Sequence, residues 1–504
     1  MRASLRSSLL LSWPLLACCE PHHASACDLG DAPTAVAWPV CPAVCENGGC
    51  GDRGLDAWTH REPCLRNPGS EQPICVFTDI SFAGGRGISV VTTPERARYL
   101  ASIPAFTDPA NTRVLNPPLP GTPEAAAPRT KLYEIREVPG KGMGVVATTF
   151  IPRGSLIMAN TASVMTDYRA FNELTKDQYA ALQAAAASQL PVAHRSLVLN
   201  LSAHDPAAAS TLPQPELVER IMAINSFDID PLSDADPERH YSFFTLFPDI
   251  ARINHDCRPN AEYLFLGPST LAQAIHAARD IYPGEEISVS YLNPLQTRAK
   301  RAARMRETWG FDCACQACSL RGRLARESDE RVEAIGWLHG ELSEWSGSRA
   351  ERSERDDLAM AELLVALYEL ERLWCLVHEG YVLAALAHNA AGSAWDAMRY
   401  ARRALDWGVP MVGEEDEDMK EMAKLVESPW GHWSWRWRRE RERKRQEQEE
   451  AMAKRRETEK GTAAEPGKGR RQGTVKRVEV PDGPLGYEKV REILKRNLEK
   501  YLGS

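Results

Sequence analysis

The chain has 504 residues, which at roughly 150 residues per domain suggests about three folded units. Hydrophobic residues make up 43% of it, enough to build real cores, so wholesale disorder is excluded. No apolar run reaches the roughly 18 residues of a membrane span, and the net charge of −8 excludes a uniformly basic nucleic-acid coat.

Residues 1–26 read as a secretory signal. Arg2 and Arg6 supply a positive start, Leu9 to Leu16 a short apolar stretch, and Ala24-Ser25-Ala26 a small-residue cleavage site. Residues 27–103 follow as a cysteine-rich segment. Cys27, Cys41, Cys45, Cys50, Cys64 and Cys75 are an even set, which fits a disulfide-stapled unit; zinc is the rival reading, although C-x2-C pairs are missing. Residues 104–130 carry Pro104, Pro109, Pro117, Pro118, Pro120, Pro123 and Pro128, a density that breaks helices and interior strands and predicts a linker.

Short strands separated by glycine turns begin at Lys131: Leu132–Val138, Val145–Phe150 and Ser155–Met158. Residues of about 167–224 are Ala- and Leu-rich and read as a helical insertion, after which strands resume at Glu262–Leu266, Leu271–Ala277 and Glu286–Tyr291. From 295 to 428 the pattern is helical. Alanines at helix-packing spacing between Gly380 and Leu405 suggest a helical hairpin of tandem-repeat type, and Cys375 reads as core within an apolar helical run. Residues 429–480 form a charged helix followed by a Gly-rich stretch. Within 436–477, sixteen Lys/Arg face eight Asp/Glu, so an acidic partner is a candidate beside the plain reading of a solvated helix. Residues 481–504 read as a last helix.

Four stretches could carry chemistry. Lys141-Gly142-Met143-Gly144 is a turn whose glycines permit close backbone approach to a ligand, or simply a tight turn. Arg252-Ile253-Asn254-His255-Asp256-Cys257-Arg258-Pro259-Asn260 places polar side chains, a thiol and a proline between apolar segments; by itself His255 reads as a structural histidine. Pro283 to Tyr291 is a turn and strand ending in a tyrosine, which by itself reads as packing with a wet hydroxyl. Trp309-Gly310-Phe311-Asp312-Cys313-Ala314-Cys315-Gln316-Ala317-Cys318 holds three thiols at C-x-C-x2-C spacing, which points to tetrahedral zinc with Cys257 as fourth ligand; disulfide pairing is the alternative.

In this order the four stretches resemble the SET-domain protein lysine methyltransferases, specifically the SET-and-MYND branch and its fungal relatives, over roughly Lys131 to Leu320. The resemblance implies an α+β SET-type fold of short sheets over 131–291, with the helical insertion, a post-SET zinc segment over 292–320 and a helical, TPR-like region over 321–428. It implies an S-adenosyl-L-methionine site in which Lys141, Gly142, Met143 and Gly144 line the methionine part, Asn225, Asn254 and His255 contact the cofactor, and Trp309 and Phe311 cover the adenine. Tyr291 matches the catalytic tyrosine. Cys257, Cys313, Cys315 and Cys318 match the Zn2+ ligands. The implied partner is a protein presenting a lysine, histone or other; a catalytically inactive SET-fold interaction module is the alternative. The chain departs from the family at Asp256, where a serine is usual, and the insertion holds no cysteine, so the MYND finger is missing. The family implies nucleus or cytoplasm, against the secretory pathway implied by the signal.

Overall fold

The structure is a computed structural model, and it describes residues 55 and 57–460 apart from 109, 114–115, 119–130, 204–210, 233–241 and 346–352. Among the described residues three sheets surround one core. The first has the order β1-β2-β3-β7-β9-β8, built from β1 (Cys64–Leu65), β2 (Ile74–Asp79), β3 (Ile88–Thr92), β7 (Val164–Asp167), β8 (Ser226–Ile229) and β9 (Phe243–Leu246). Every residue of β2 and β3 is buried. Ile74, Val76 and Val91 face the helices of the insertion, while Cys75, Phe77, Ile88 and Val90 face the central core. This strand-period alternation between two covered faces explains why the segments are buried throughout and mostly apolar.

This corrects the reading of 27–103 as a separate stapled segment. β3 pairs in parallel with β7, so residues 74–92 are part of the main fold. Cysteine density concealed two buried strands. Cys64 and Cys75 lie opposite each other on β1 and β2 and are bonded as a disulfide; the other cysteines of that segment and the signal sequence lie outside the described residues. The start of the proline-rich linker is also docked rather than free. Helical turns occupy Pro104–Thr107 and Ala110–Arg113, and Asn116 Oδ1 accepts hydrogen bonds from Asn160 Nδ2 (3.0 Å) and the Thr161 amide (2.9 Å). Proline at the first helical position is compatible with such turns.

The insertion between β7 and β8 is helical, as expected. It contains α2 (Lys176–Gln189), α3 (Val192–Leu199) and α4 (Gln214–Asn225); α1 (Pro94–Ala101) precedes it in the chain. A capping box between Thr175 and Gln178 starts α2, and its buried alanines let it lie close on the sheet.

The second sheet, order β10-β13-β5-β4, carries the candidate site. It comprises β4 (Tyr133–Val138), β5 (Gly142–Ala147), β10 (Asn254–His255) and β13 (Glu286–Val289). The third, order β11-β12-β6, consists of β6 (Leu156–Thr161), β11 (Ala261–Phe265) and β12 (Ala272–Ala277). Beyond them α5 (Arg298–Trp309) ends at Gly310 in the left-handed conformation, φ 73°, which releases the chain into the cysteine loop.

A helical lobe follows: α6 (Gly322–Ser343), α7 (Glu354–Leu370), α8 (Val377–Ala390), α9 (Ala394–Val412), α10 (Glu417–Glu427) and α11 (Trp437–Lys460). Ala384, Ala385, Ala387, Ala397, Ala401 and Ala404 are buried within its core, as the alanine spacing led us to expect. Cys375 is buried but sits in the turn between α7 and α8, which corrects its placement in a helix. The expected C-terminal helix over 481–504 lies outside the described residues. No described helix is long and apolar enough to cross a membrane.

Candidate active site and metal centre

The site forms where β10 lies parallel to β13, with Asn254 beside Ser288 and His255 beside Val289. Neighbouring side chains on a strand point to opposite faces, so Asn254 and His255 serve different partners. Asn254 Nδ2 donates to the Met143 carbonyl at 3.3 Å and to Glu286 Oε1 at 2.9 Å. Lys141 Nζ lies 2.6 Å from Glu286 Oε2. Glu286 therefore ties the Lys141 turn to the asparagine. Sequence reasoning quoted this residue only as part of a strand, because nothing in spacing alone shows that its carboxylate bridges two motifs.

The glycine turn is built for close approach. Gly142 has φ +73°, a region that disfavours side chains. A Cβ on Gly144 would meet Asn254 Nδ2 at 2.7 Å and Val138 Cγ2 at 2.7 Å. Position 144 must stay bare for the loop to reach Asn254.

His255 is 4% exposed, and burial, the dominant cause, lowers its pKa to about 4, so its ring is neutral near pH 7. Its Nδ1 accepts the Tyr291 backbone N–H at 3.0 Å, and its Nε2 lies 3.2 Å from Cys257 Sγ. The Tyr291 hydroxyl donates to the Ile253 carbonyl at 2.6 Å. Burial first, and then the Glu286 charge, push the Tyr291 phenol well above its usual range, so it stays protonated. Its ring centroid lies 5.3 Å from those of both His255 and Trp309.

The remaining expected residues divide. The Trp309 indole donates to the Ile224 carbonyl at 3.1 Å, which pins the end of α5 against the end of α4. Asn225 is the next residue, but its Nδ2 is committed to Ser202 and Ile221 carbonyls, both at 2.8 Å, so only its oxygen could serve a ligand. Phe311, just past Gly310, is exposed.

Cys257, Cys313, Cys315 and Cys318 converge, with all four sulfurs within 4.8 Å of one another and Cys257 Sγ 3.5 Å from Cys318 Sγ. Four ligands about 2.3 Å from a tetrahedral ion would stand about 3.8 Å apart, so this donor set is close to the spacing a metal requires. A second observation supports the fit. Arg301, on α5, is 1% exposed, and its Nε has no hydrogen-bond partner among the described residues. Its burial works to lower the guanidinium pKa, but the charges of Cys257 and Cys318 outweigh it and raise the pKa. A buried cation suits a centre in which four thiolates outweigh a divalent ion. Sequence reasoning missed Arg301, because one arginine in an arginine-rich helix gives no sign of being the buried one.

Arg258 belongs to the same knot. Its Nη1 donates to the carbonyl of Cys257 at 2.8 Å, and its Nη2 pairs with Glu371 Oε2 at 2.6 Å, which links the four-cysteine cluster to the helical lobe.

A family model described as the SET domain matches residues 142–292. The chain contains a SET domain. It is similar to the histone-lysine N-methyltransferase set5 of Schizosaccharomyces pombe, 26% identical over 330 residues, covering 60% of this chain and 95% of that relative. It is 29% identical over 131 residues to the N-lysine methyltransferase SMYD2-B of Danio rerio, 24% of this chain and 30% of that one. It is 37% identical over 89 residues to the histone-lysine N-methyltransferase SMYD3 of Homo sapiens, 17% of this chain and 20% of that one. The chain thus spans nearly all of the set5 relative and less than a third of the two SMYD proteins. The SET match runs from the glycine turn through Tyr291, so β10, β13 and β5 all lie inside it.

Proposed function

We propose that this SET domain transfers a methyl group from S-adenosyl-L-methionine to a lysine amine of a protein, with histones as the first substrates to test. The observation that carries the reading is that β13 pairs both with β5, which opens on the bare Gly142–Gly144 segment, and with β10, which carries Asn254, while Tyr291 follows just past its end. The relatives named for lysine methyltransferase activity support it.

When bound, the cofactor supplies a sulfonium-activated methyl group. The chain's residues do the rest. Gly142, Met143 and Gly144 with Asn254 hold the donor, His255 meets it through its backbone because both its ring nitrogens are committed, and Trp309 and Phe311 close over its base. The incoming lysine must be neutral, yet a free lysine has a pKa of about 10.4. A buried channel beside a cation favours proton loss. The residues named would align that neutral amine with the methyl group the donor would supply, the electron pair of the methyl–sulfur bond staying with sulfur. The methylated ammonium gives up a proton afterwards. Tyr291 keeps its own proton, so it acts by orienting the amine rather than as a base, and rate comes from alignment and electrostatics.

We also propose that Cys257, Cys313, Cys315 and Cys318 hold one Zn2+ as a closed structural site that fixes the loop carrying Phe311.

The test is transfer of radiolabelled methyl from the donor to histones and to whole lysate, with products located by mass spectrometry. Wild type should label lysine, and Tyr291→Phe should lose about 100-fold in kcat. Tight donor and peptide binding with no labelling of any protein would instead favour a non-catalytic binding module.

A further inference from the structure

His255 stands between Cys257, one of the four converging sulfurs, and the tyrosine that follows β13. The geometry fixes its hydrogens. A backbone N–H can only donate, and the Tyr291 N–H points at Nδ1 at 3.0 Å. Nδ1 must therefore be the bare nitrogen. In a neutral imidazole the hydrogen is then on Nε2, and Nε2 faces Cys257 Sγ at 3.2 Å. A metal-bound cysteine is a thiolate, an acceptor with no hydrogen of its own, so this tautomer is the one the centre needs. The ring is nearly enclosed, with 4% exposure, and packs against the Tyr291 ring. Two anchored nitrogens leave it little freedom to turn.

We propose that His255 is a positioning residue through which occupancy of the four-cysteine centre sets the place of the Tyr291 backbone. Tyr291 begins where the β13 ladder has ended, so the His255 contact supplies the partner its amide would otherwise lack. The chain of contacts is short: metal-bound sulfur, Nε2–H, ring, Nδ1, and the Tyr291 amide. Loss of the ion removes what fixes the Cys257 sulfur and lets its loop relax, which frees one end of the ring. The tyrosine amide is held by the other end. The inference rests on the proposed function only for what the position of Tyr291 is good for; the coupling itself is a property of the fold.

Two variants separate the ends. His255→Asn places an amide oxygen where Nδ1 stands, keeping an acceptor for the Tyr291 amide but losing the donor to Cys257. His255→Gln reaches far enough to place an N–H where Nε2 stands and loses the acceptor. The measurements, on the full chain, are hydrogen exchange at the Tyr291 amide and zinc affinity by competition with a chromogenic chelator. In wild type, stripping the metal should speed Tyr291 exchange at least about tenfold. His255→Asn should bind zinc about 10–100-fold more weakly, and its Tyr291 exchange should not respond to stripping. His255→Gln should hold zinc within about threefold of wild type while its Tyr291 amide exchanges fast with or without metal.

Stripping wild type with no change in Tyr291 exchange overturns the inference, and this arm needs no variant to fold. So does a metal response that persists in His255→Asn, or an equal loss of zinc affinity in both variants. Neither readout involves methyl transfer. An inactive chain that gave the expected pattern would keep the coupling and refute only the proposed activity.

Discussion

Glu371 is the most informative residue to remove, because one carboxylate holds together three parts of the molecule. Its Oε2 pairs with Arg258 Nη2 at 2.6 Å and accepts from Ser328 Oγ at 2.8 Å, while Oε1 pairs with Arg331 Nε at 2.6 Å. The side chains of Glu371 and Arg258 are only 5% and 8% exposed; that of Arg331 is 19% exposed. Burial alone would raise the carboxyl pKa, but the Arg258 and Arg331 partners outweigh it and hold it below the usual carboxylate range. Glu371→Ala would leave Arg258 buried without a counter-charge. Breaking a buried pair in this way costs about 3–5 kcal/mol, and Arg331 can escape to water, so we expect about 3 kcal/mol. That is a large share of the roughly 5–15 kcal/mol typical of a folded domain. Urea unfolding followed by tryptophan fluorescence measures it. The double variant Arg258→Met/Glu371→Met should recover much of the loss, since a packed apolar pair removes the stranded charge. Because the folded pKa is depressed, the stabilisation is present above the unfolded carboxyl value of about 4.3 and is lost as pH falls through the folded value. A loss under about 1 kcal/mol in Glu371→Ala, or a double variant no more stable than the single one, would refute the reasoning.

Three further outcomes can be measured directly. Gly144→Ala puts a methyl 2.7 Å from both Asn254 Nδ2 and Val138 Cγ2; an overpacking cost of about 1–3 kcal/mol predicts donor binding weaker by roughly 5- to 150-fold by calorimetry. His194 is fully buried, and burial followed by the Arg86 charge lowers its pKa to about 4. As a base with a depressed folded pKa, it costs nothing above about 6.5 and removes stability as pH falls from there to about 4, by about 3 kcal/mol in all; denaturation midpoints across that window should flatten in His194→Gln and will contradict this account if they do not. Metal analysis of the purified chain should find one zinc, and Arg301→Met should weaken zinc binding by about 10–100-fold through loss of the buried cation; equal affinity would show that the guanidinium contributes nothing to the centre.

Much of the site was legible from sequence, because its parts are local. A glycine turn, a C-x-C-x2-C loop and a strand ending in tyrosine each announce themselves within ten residues, and their order suggested a SET-type arrangement. Cys257 as fourth sulfur also came from sequence, by counting ligands. The buried strands β2 and β3 were not legible. A strand covered on both faces shows no polar alternation, and the cysteines around β2 offered a competing explanation. Asn225 matched by pattern, yet its amide hydrogens are spent on its own neighbourhood.

What sequence determined by itself is the inventory: which residues can hold a metal, which turn can approach a donor, and which segments alternate or recur with helical period. Only the tertiary structure decided how those pieces share partners. Glu286 bridges Lys141 and Asn254, His255 spans Cys257 and Tyr291, and Glu371 draws Arg258 to the helical lobe. The reason is that a hydrogen bond or ion pair depends on distance in space, and residues 254 and 286, or 258 and 371, become neighbours only when strands pair and helices pack.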